Sequence, residues 1–333
     1  MTIRERQEQD EQARLSPYAA LSSRSAGRAH PISVCDLRTC YQRDRDRIIH
    51  CKSFRRLKYK TQVFLTPMGD HYRTRLTHTL EVSQVARTLA RSLRLNEDLT
   101  EAAALGHDLG HTPFGHIGES TLNRLLPGGF RHNEQSLRVA ERLENDGAGL
   151  NLCRETLDGI LNHSGQNEPK TLEGWCVRRA DRIAYINHDI DDAMRGGIIY
   201  PMDIPLEISN VLGFTHSERI DTLTVDIIRE SAGAGVVRQS GPCREAMSRL
   251  REFMFENVYR NPVAKGEEGK ARDLVKYLYT HFTAHVEKMP EEYRRIAEQE
   301  GAERAACDYI SGMSDRYAVS LCEELLIPKF WQL

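Results

Sequence analysis

The chain has 333 residues, with 46 Lys and Arg against 48 Asp and Glu, a formal net charge of -2 and a pI near 6.7. That length can bury a large core as one extended domain or two smaller ones, and the near-neutral balance excludes a general basic field for nucleic acid while leaving local clusters free to bind phosphate. Cys35, Cys40, Cys51, Cys153, Cys176, Cys243, Cys307 and Cys322 contain no C-x-x-C pair and no regular framework, so they read as reduced intracellular thiols and argue against structural zinc on cysteine.

The N-terminal MTIRERQEQDEQARL is charged throughout, unlike a signal peptide, and no uninterrupted apolar run of spanning length follows it. The expectation is a cytoplasmic protein that does not engage a membrane. Residues 1–23, polar and then rich in Ser and Ala, read as a flexible arm, frayed or ordered by a partner. Val34 to Lys60 is very basic, with Leu37, Tyr41, Ile48, Phe54 and Leu57 loosely at helical intervals. Such a run is either a solvated helix face, its arginines offset by Asp44 and Asp46, or an anion contact surface offering Arg55, Arg56, Lys58 and Lys60.

RLTHTLEVSQVARTLARSLR, residues 75–94, is the clearest helix: Val82, Val85, Leu89 and Leu93 recur by three or four, and His78 lies on the same line. NEDLTEAAALGHD begins another, with Asn96 as N-cap, acidic residues in the first turn, and Leu99, Ala103 and His107 on one stripe. Gly106, Gly110 and Pro113 then break the regularity and open a turn. Residues 133–144 and 154–161 predict short helices, and 171–194 a longer one with Asp181, Tyr185 and Asp189 on a single face. Amphipathic stretches follow at 217–231, 243–259, 270–288 and 302–326. Strand-like alternation is scarce, so the fold class is all-α.

A histidine on an apolar helix face is usually a hydrogen-bonded core residue, and His78 by itself reads that way. Three neighbours change the reading. His107 and Asp108 end a helix, and Asp181 sits among Val177, Ala184 and Tyr185, where an unpaired carboxylate costs several kcal/mol. A divalent cation relieves both aspartates at once, and two imidazoles with two carboxylates suit Mn, Fe, Co, Ni or Zn while leaving positions for water and substrate.

The ordered set H…HD…D resembles the HD-domain phosphohydrolases. The surrounding strings are similar to one branch, the bacterial deoxyguanosine triphosphate triphosphohydrolase-like proteins: FRRLKYKTQVF (54–64), RTRLTHTLEV (73–82), GHDLGHTPFGHIGE (106–119), RHNEQS (131–136), ADRIAYINHDIDDA (180–193) and DYISGMSDRYA (308–318). The resemblance extends from about Ser23 to the C-terminus. It implies a helical catalytic core over residues 24–200 and a C-terminal helical region, 201–333, packed on it. His78, His107, Asp108 and Asp181 would be ligands to a divalent metal ion, any of Mn, Mg, Fe, Co, Ni or Zn. His111, His116, Glu119 and His132 would line the reacting phosphate, with His116 as the acid and Glu119 orienting it.

By the same resemblance Arg75 contacts phosphate, Gln62 reads the deoxyribose, and Arg182, Tyr185 and Asp189 stand near the phosphates and sugar. The implied reaction is hydrolysis of a deoxynucleoside triphosphate (dNTP) at the α-phosphorus, giving a deoxynucleoside and inorganic triphosphate, in a homo-oligomer that a dNTP effector activates. Single-stranded nucleic-acid binding, a property of some relatives, has little support in the charge balance. Plainer local readings stand beside these: His111 and His116 satisfying loop backbone, Glu119 as a first-turn helix residue, His132 as a helix start, Arg75 and Gln62 as surface groups. Two other functions fit the pattern, a different HD enzyme acting as a phosphodiesterase or alarmone hydrolase, and a non-catalytic nucleotide sensor.

Overall fold

The first 23 residues, expected as a flexible arm frayed or ordered by a partner, carry a helix and a short helical turn within this chain. Helix α1 (Ile3–Arg14) starts at a capping box in which Thr2 and Glu5 satisfy each other's backbone N–H groups. It buries no side chain, so polar contacts hold it: the Arg4 N–H donates to the Asp36 carbonyl (2.9 Å), and Glu11 accepts the N–H and hydroxyl of Ser22 (both 2.7 Å). Further on, the Ala20 N–H donates to buried Glu173 (2.9 Å). Hydrophobic periodicity does not report contacts of this kind, which is why the segment read as loose.

A computed structural model describes residues 1–61, 73–260 and 267–328, and among the described residues the regular structure is helical, with pairing of the β type limited to isolated bridges. The basic segment forms α2 (Cys40–His50) and α3 (Lys52–Arg56). Tyr41, Ile48, Phe54 and Leu57 are buried as their spacing predicts, while Leu37 is exposed. Asp44 is not a surface counter-ion. It is fully buried and accepts from Arg28, the Cys153 N–H and the Thr156 hydroxyl.

α4 (Arg75–Ser92) begins at Thr74, whose hydroxyl caps the Thr77 N–H, and buries Val82, Val85 and Leu89, each contributing roughly 1.5–3 kcal/mol of apolar burial. α5 (Glu97–Gly106) is capped by Asn96 as expected, its side chain accepting from the Leu99 N–H at 3.2 Å. α6 (Gly115–Leu125), α7 (His132–Arg138, running into a π-helical turn over Val139–Leu143) and α8 (Arg154–Asn162) follow. α9 (Leu172–Arg195) crosses the middle of the molecule and packs on α4, α5, α8 and α11 (His216–Ser231), with α10 (Leu206–Leu212) between α9 and α11 in sequence. The remaining helices are α12 (Gly241–Met254), α13 (Glu268–Ala284), α14 (Glu291–Glu300), α15 (Ala302–Ser311) and α16 (Asp315–Leu326). The single stretch predicted over 302–326 is two helices, because Gly312 and Met313 break the first and Ser314 caps the second by accepting the Tyr317 N–H.

The core has three main parts. One joins α4 and α9 to α10–α12, a second packs α6 against α13–α16, and a third lies under α2, α3, α5, α8 and the turn after α7. The turn between α5 and α6 sits where these parts meet. Gly110 is required there: a Cβ at that position would lie 2.2 Å from the Ser136 backbone nitrogen and 2.3 Å from the Gln135 carbonyl carbon. Gly118 on α6 has the same constraint, with the Pro113 carbonyl oxygen 2.1 Å from the place of its Cβ. Among the described residues no helix is long and apolar enough to cross a membrane.

Candidate metal centre and histidine cluster

His78 comes from the second turn of α4, His107 and Asp108 from the residues that follow α5, and Asp181 from α9. The fold brings all four together. His78 Nε2 lies 3.2 Å and His107 Nε2 3.8 Å from the same oxygen of Asp181, and His107 Nε2 lies 3.6 Å from Asp108. The His107 Nδ1–H donates to the Ala104 carbonyl (2.6 Å), and its buried Nε2 has no hydrogen-bond partner among the described residues. An orphaned imidazole nitrogen facing two carboxylates is what a bound cation resolves, and the donor types fit a divalent metal.

Both aspartates are ionised. Burial pushes the Asp108 carboxyl up, but His107 and the Arg75 guanidinium, 2.8 Å away, outweigh it and hold the group well below the usual range. Burial acts on Asp181 in the same sense and is overcome by His78 and His107. Arg75 is therefore no solvated surface arginine: it is buried in the first turn of α4 against Asp108.

Beside the four lies a second group. Glu119, on α6, accepts from the backbone N–H and the Nδ1 of His132 (both 2.9 Å) and stands 3.5 Å from His116 Nδ1. Burial raises the Glu119 carboxyl, yet its contacts with His116 and His132 dominate and keep it well below the usual range. For His132 burial lowers the imidazole and Glu119 raises it, with a net rise. His111 is buried and stacked on His132 with ring centroids 5.0 Å apart, and burial, reinforced by Arg75, holds it neutral. His116 is the member that reaches solvent, its side chain 56% exposed at the start of α6, just after Phe114 takes a left-handed conformation (φ 61°).

The α9 face continues the site. Tyr185 lies 6.1 Å, centroid to centroid, from His116 and stacks with Tyr259, whose hydroxyl donates to buried Asp189. Arg182, one residue round from Asp181, is exposed. Gln62 lies outside the described residues. Lys60 departs from both readings of the basic segment, a solvated face and an anion contact surface: it is 1% exposed, and its Nζ donates to the carbonyls of His111 (2.6 Å) and Ser311 (2.8 Å).

Three residues of the site did not figure in the sequence reading. His163, just past α8, donates from Nδ1 to the Ile160 carbonyl (2.6 Å) and faces His132 with Nε2 atoms 3.2 Å apart; burial, then His107 and His132, lower it to about 3. His188 on α9 and Tyr259 after α12 are the others. His163 carried a readable signal, a histidine in the turn closing a short apolar-faced helix, as His107 is. Tyr259 carried none, being placed by packing over 70 residues of chain from Asp189.

An all-helical core that gathers two histidines and two aspartates from α4, α5 and α9 defines the HD class of metal-dependent phosphohydrolases, and the HD domain model matches residues 75–186. The phosphohydrolase-associated domain model matches residues 237–324. More particularly, the chain belongs to the family of deoxyguanosinetriphosphate triphosphohydrolase-like proteins. It is 58% identical to the protein so named from Caldanaerobacter subterraneus subsp. tengcongensis, over 99% of this chain and 98% of that one. It is 50% identical to another from Clostridium perfringens, over 99% of each. Among solved structures, a phosphohydrolase from Bacteroides thetaiotaomicron has the same fold, with a TM-score of 0.53 at 18% identity over 85% of this chain and 68% of that one.

Proposed function

We propose that the protein hydrolyses dNTPs (dGTP, other dNTPs or both) at the α-phosphorus, releasing a deoxynucleoside and inorganic triphosphate. The observation that carries the proposal is the His116–Glu119–His132 cluster, open to solvent at His116, set against His78, His107, Asp108 and Asp181. The four would hold the divalent ion, which when bound supplies Lewis-acid polarisation of a phosphate oxygen or a water.

The leaving O5′ is an alkoxide too basic to depart without a proton, and His116 would deliver it. Ionised Glu119, 3.5 Å from His116 Nδ1, orients that ring. His132, raised by the same carboxylate, adds positive charge beside the reacting phosphate, while neutral His111 supports it from below. Arg75, paired with Asp108, offers guanidinium N–H groups to a phosphate oxygen, and exposed Arg182 reaches the outer phosphates. Asp189, Tyr185 and, outside the described residues, Gln62 are assigned to the sugar. The reading includes a cytoplasmic homo-oligomer in which a dNTP acts as effector, and residues 24–200 as the catalytic core with 201–333 packed on it.

Phosphorus NMR of the purified protein with Mn²⁺, offered each dNTP singly and then all four mixed, tests the reaction. Triphosphate with free deoxynucleoside is the expected result, and activity in the mixture alone supports the effector. Pyrophosphate or a nucleoside monophosphate moves the chain to another HD activity, and binding without product makes it a sensor. A mass by light scattering that stays monomeric at all concentrations with dNTP present sinks the oligomer.

A further inference from the structure

His107 and His78 present the same nitrogen, Nε2, to the acidic pair, and each can serve as a ligand only if its proton sits on Nδ1. For His107 the main chain sets this, through the Ala104 carbonyl. Among the described residues, His78 meets no such carbonyl at Nδ1. Its Nδ1 lies 3.2 Å from Nδ1 of His188, buried on α9, and the Nε2 of His188 lies 2.7 Å from Oε2 of Glu81, three residues beyond His78 on α4. Arg73 Nε holds the same carboxylate at 2.9 Å.

Proton positions follow from the chemistry of the partners. A carboxylate only accepts, and at 2.7 Å two facing lone pairs would repel, so His188 carries its proton on Nε2. Its Nδ1 is then an acceptor, and the proton in the contact between the two rings belongs to His78 Nδ1. We propose that Glu81 and His188 are positioning residues that fix the His78 tautomer and keep its Nε2 lone pair turned toward Asp181. This rests on the metal reading above, and it gives the centre one ligand set by the main chain and one set by a carboxylate–histidine relay.

Nitrogen-15 NMR of histidine-labelled protein loaded with diamagnetic Zn²⁺ reads the relay directly. A proton on His78 Nδ1 and on His188 Nε2 supports it, and a proton on His188 Nδ1 overturns it. Titration with Mn²⁺, followed by electron paramagnetic resonance, reads its purpose. His188→Leu should bind about 10–100-fold more weakly, the usual effect of losing such a partner. His188→Asn, which places an amide oxygen where Nδ1 was, should stay close to wild type. Glu81→Ala, at a half-exposed position, should weaken binding without threatening the fold, and it keeps the test available if the Leu variant fails to fold. Wild-type affinity in both His188→Leu and Glu81→Ala overturns the positioning role. A wild-type chain that binds no Mn²⁺ overturns the metal reading and this role together, a result distinct from wild type and variants all binding alike.

Discussion

Asp189 lies fully buried on α9, and burial, with a push from Asp192 and against the pull of the Tyr259 hydroxyl, raises its carboxyl to about 8. An unfolded chain releases the same proton near the ordinary value of about 3.9. Between those values the folded protein binds one proton more than the unfolded one. The stability associated with neutral Asp189 is therefore complete at low pH and is lost as pH rises through the window, at about 1.4 kcal/mol per pH unit, before levelling off above the native value. From pH 6 to pH 8 the loss amounts to about 2–3 kcal/mol, a large part of a typical 5–15 kcal/mol stability. Asp189→Asn keeps the shape, can still accept from Tyr259, and does not titrate.

Urea unfolding of both proteins at fixed pH values from 5 to 9 gives the difference directly. Lys60, which burial pushes down to about 7, contributes a slope of opposite sign, stability rising with pH above its native value, and this cancels because both proteins carry it. The variant should gain about 2–3 kcal/mol on wild type between pH 6 and 8 and no more beyond about 9. A difference that does not move with pH would mean that Asp189 is ionised in the folded protein, and the argument fails.

Three further outcomes are expected. Asp181→Ala should purify with much less bound divalent metal by elemental analysis while keeping its helical circular dichroism, and full metal occupancy would remove Asp181 from the centre. His116→Ala should keep Mn²⁺ and dNTP binding and lose roughly 10²–10⁴ in turnover, as loss of a general acid does; unchanged turnover refutes that role. Gly110→Ala forces its methyl into the backbone of α7 and should cost about 1–3 kcal/mol in urea unfolding, together with weakened Mn²⁺ binding, since the same turn carries Asp108. A variant as stable as wild type would show that the turn can shift away.

The long helices were readable because their burial is periodic: Val82, Val85 and Leu89 mark α4, and Asn96 marks the start of α5. α1, α10 and α14 were not, being held by polar contacts, by brevity or by a mostly exposed surface. In the site, the residues that lie on readable helices or in the Gly-broken turn, His78, His107, Asp108, His116, Glu119 and Asp181, are adjacent in space. What escaped was pairing across distant segments. Nothing near Lys60 in the chain signals that its ammonium is sealed between two carbonyls, and His188 lies beside His78 only because α9 crosses α4 at that turn.

Lys60 also bears on whether the molecule can be dissected. The carbonyls it joins belong to the turn before α6 and to the last residue of α15, and Asp315, at the start of α16, accepts the N–H groups of Phe114 and Thr61 (3.0 and 2.9 Å). Cutting the chain after residue 200 would strip the buried Lys60 Nζ of one acceptor and leave the Phe114 amide without its partner, two residues before His116. The HD segment made as a separate fragment would thus lack part of the frame of the turn that carries Asp108 and His111. The start of α16 and the end of α15 act as a splint for the turn between α5 and α6.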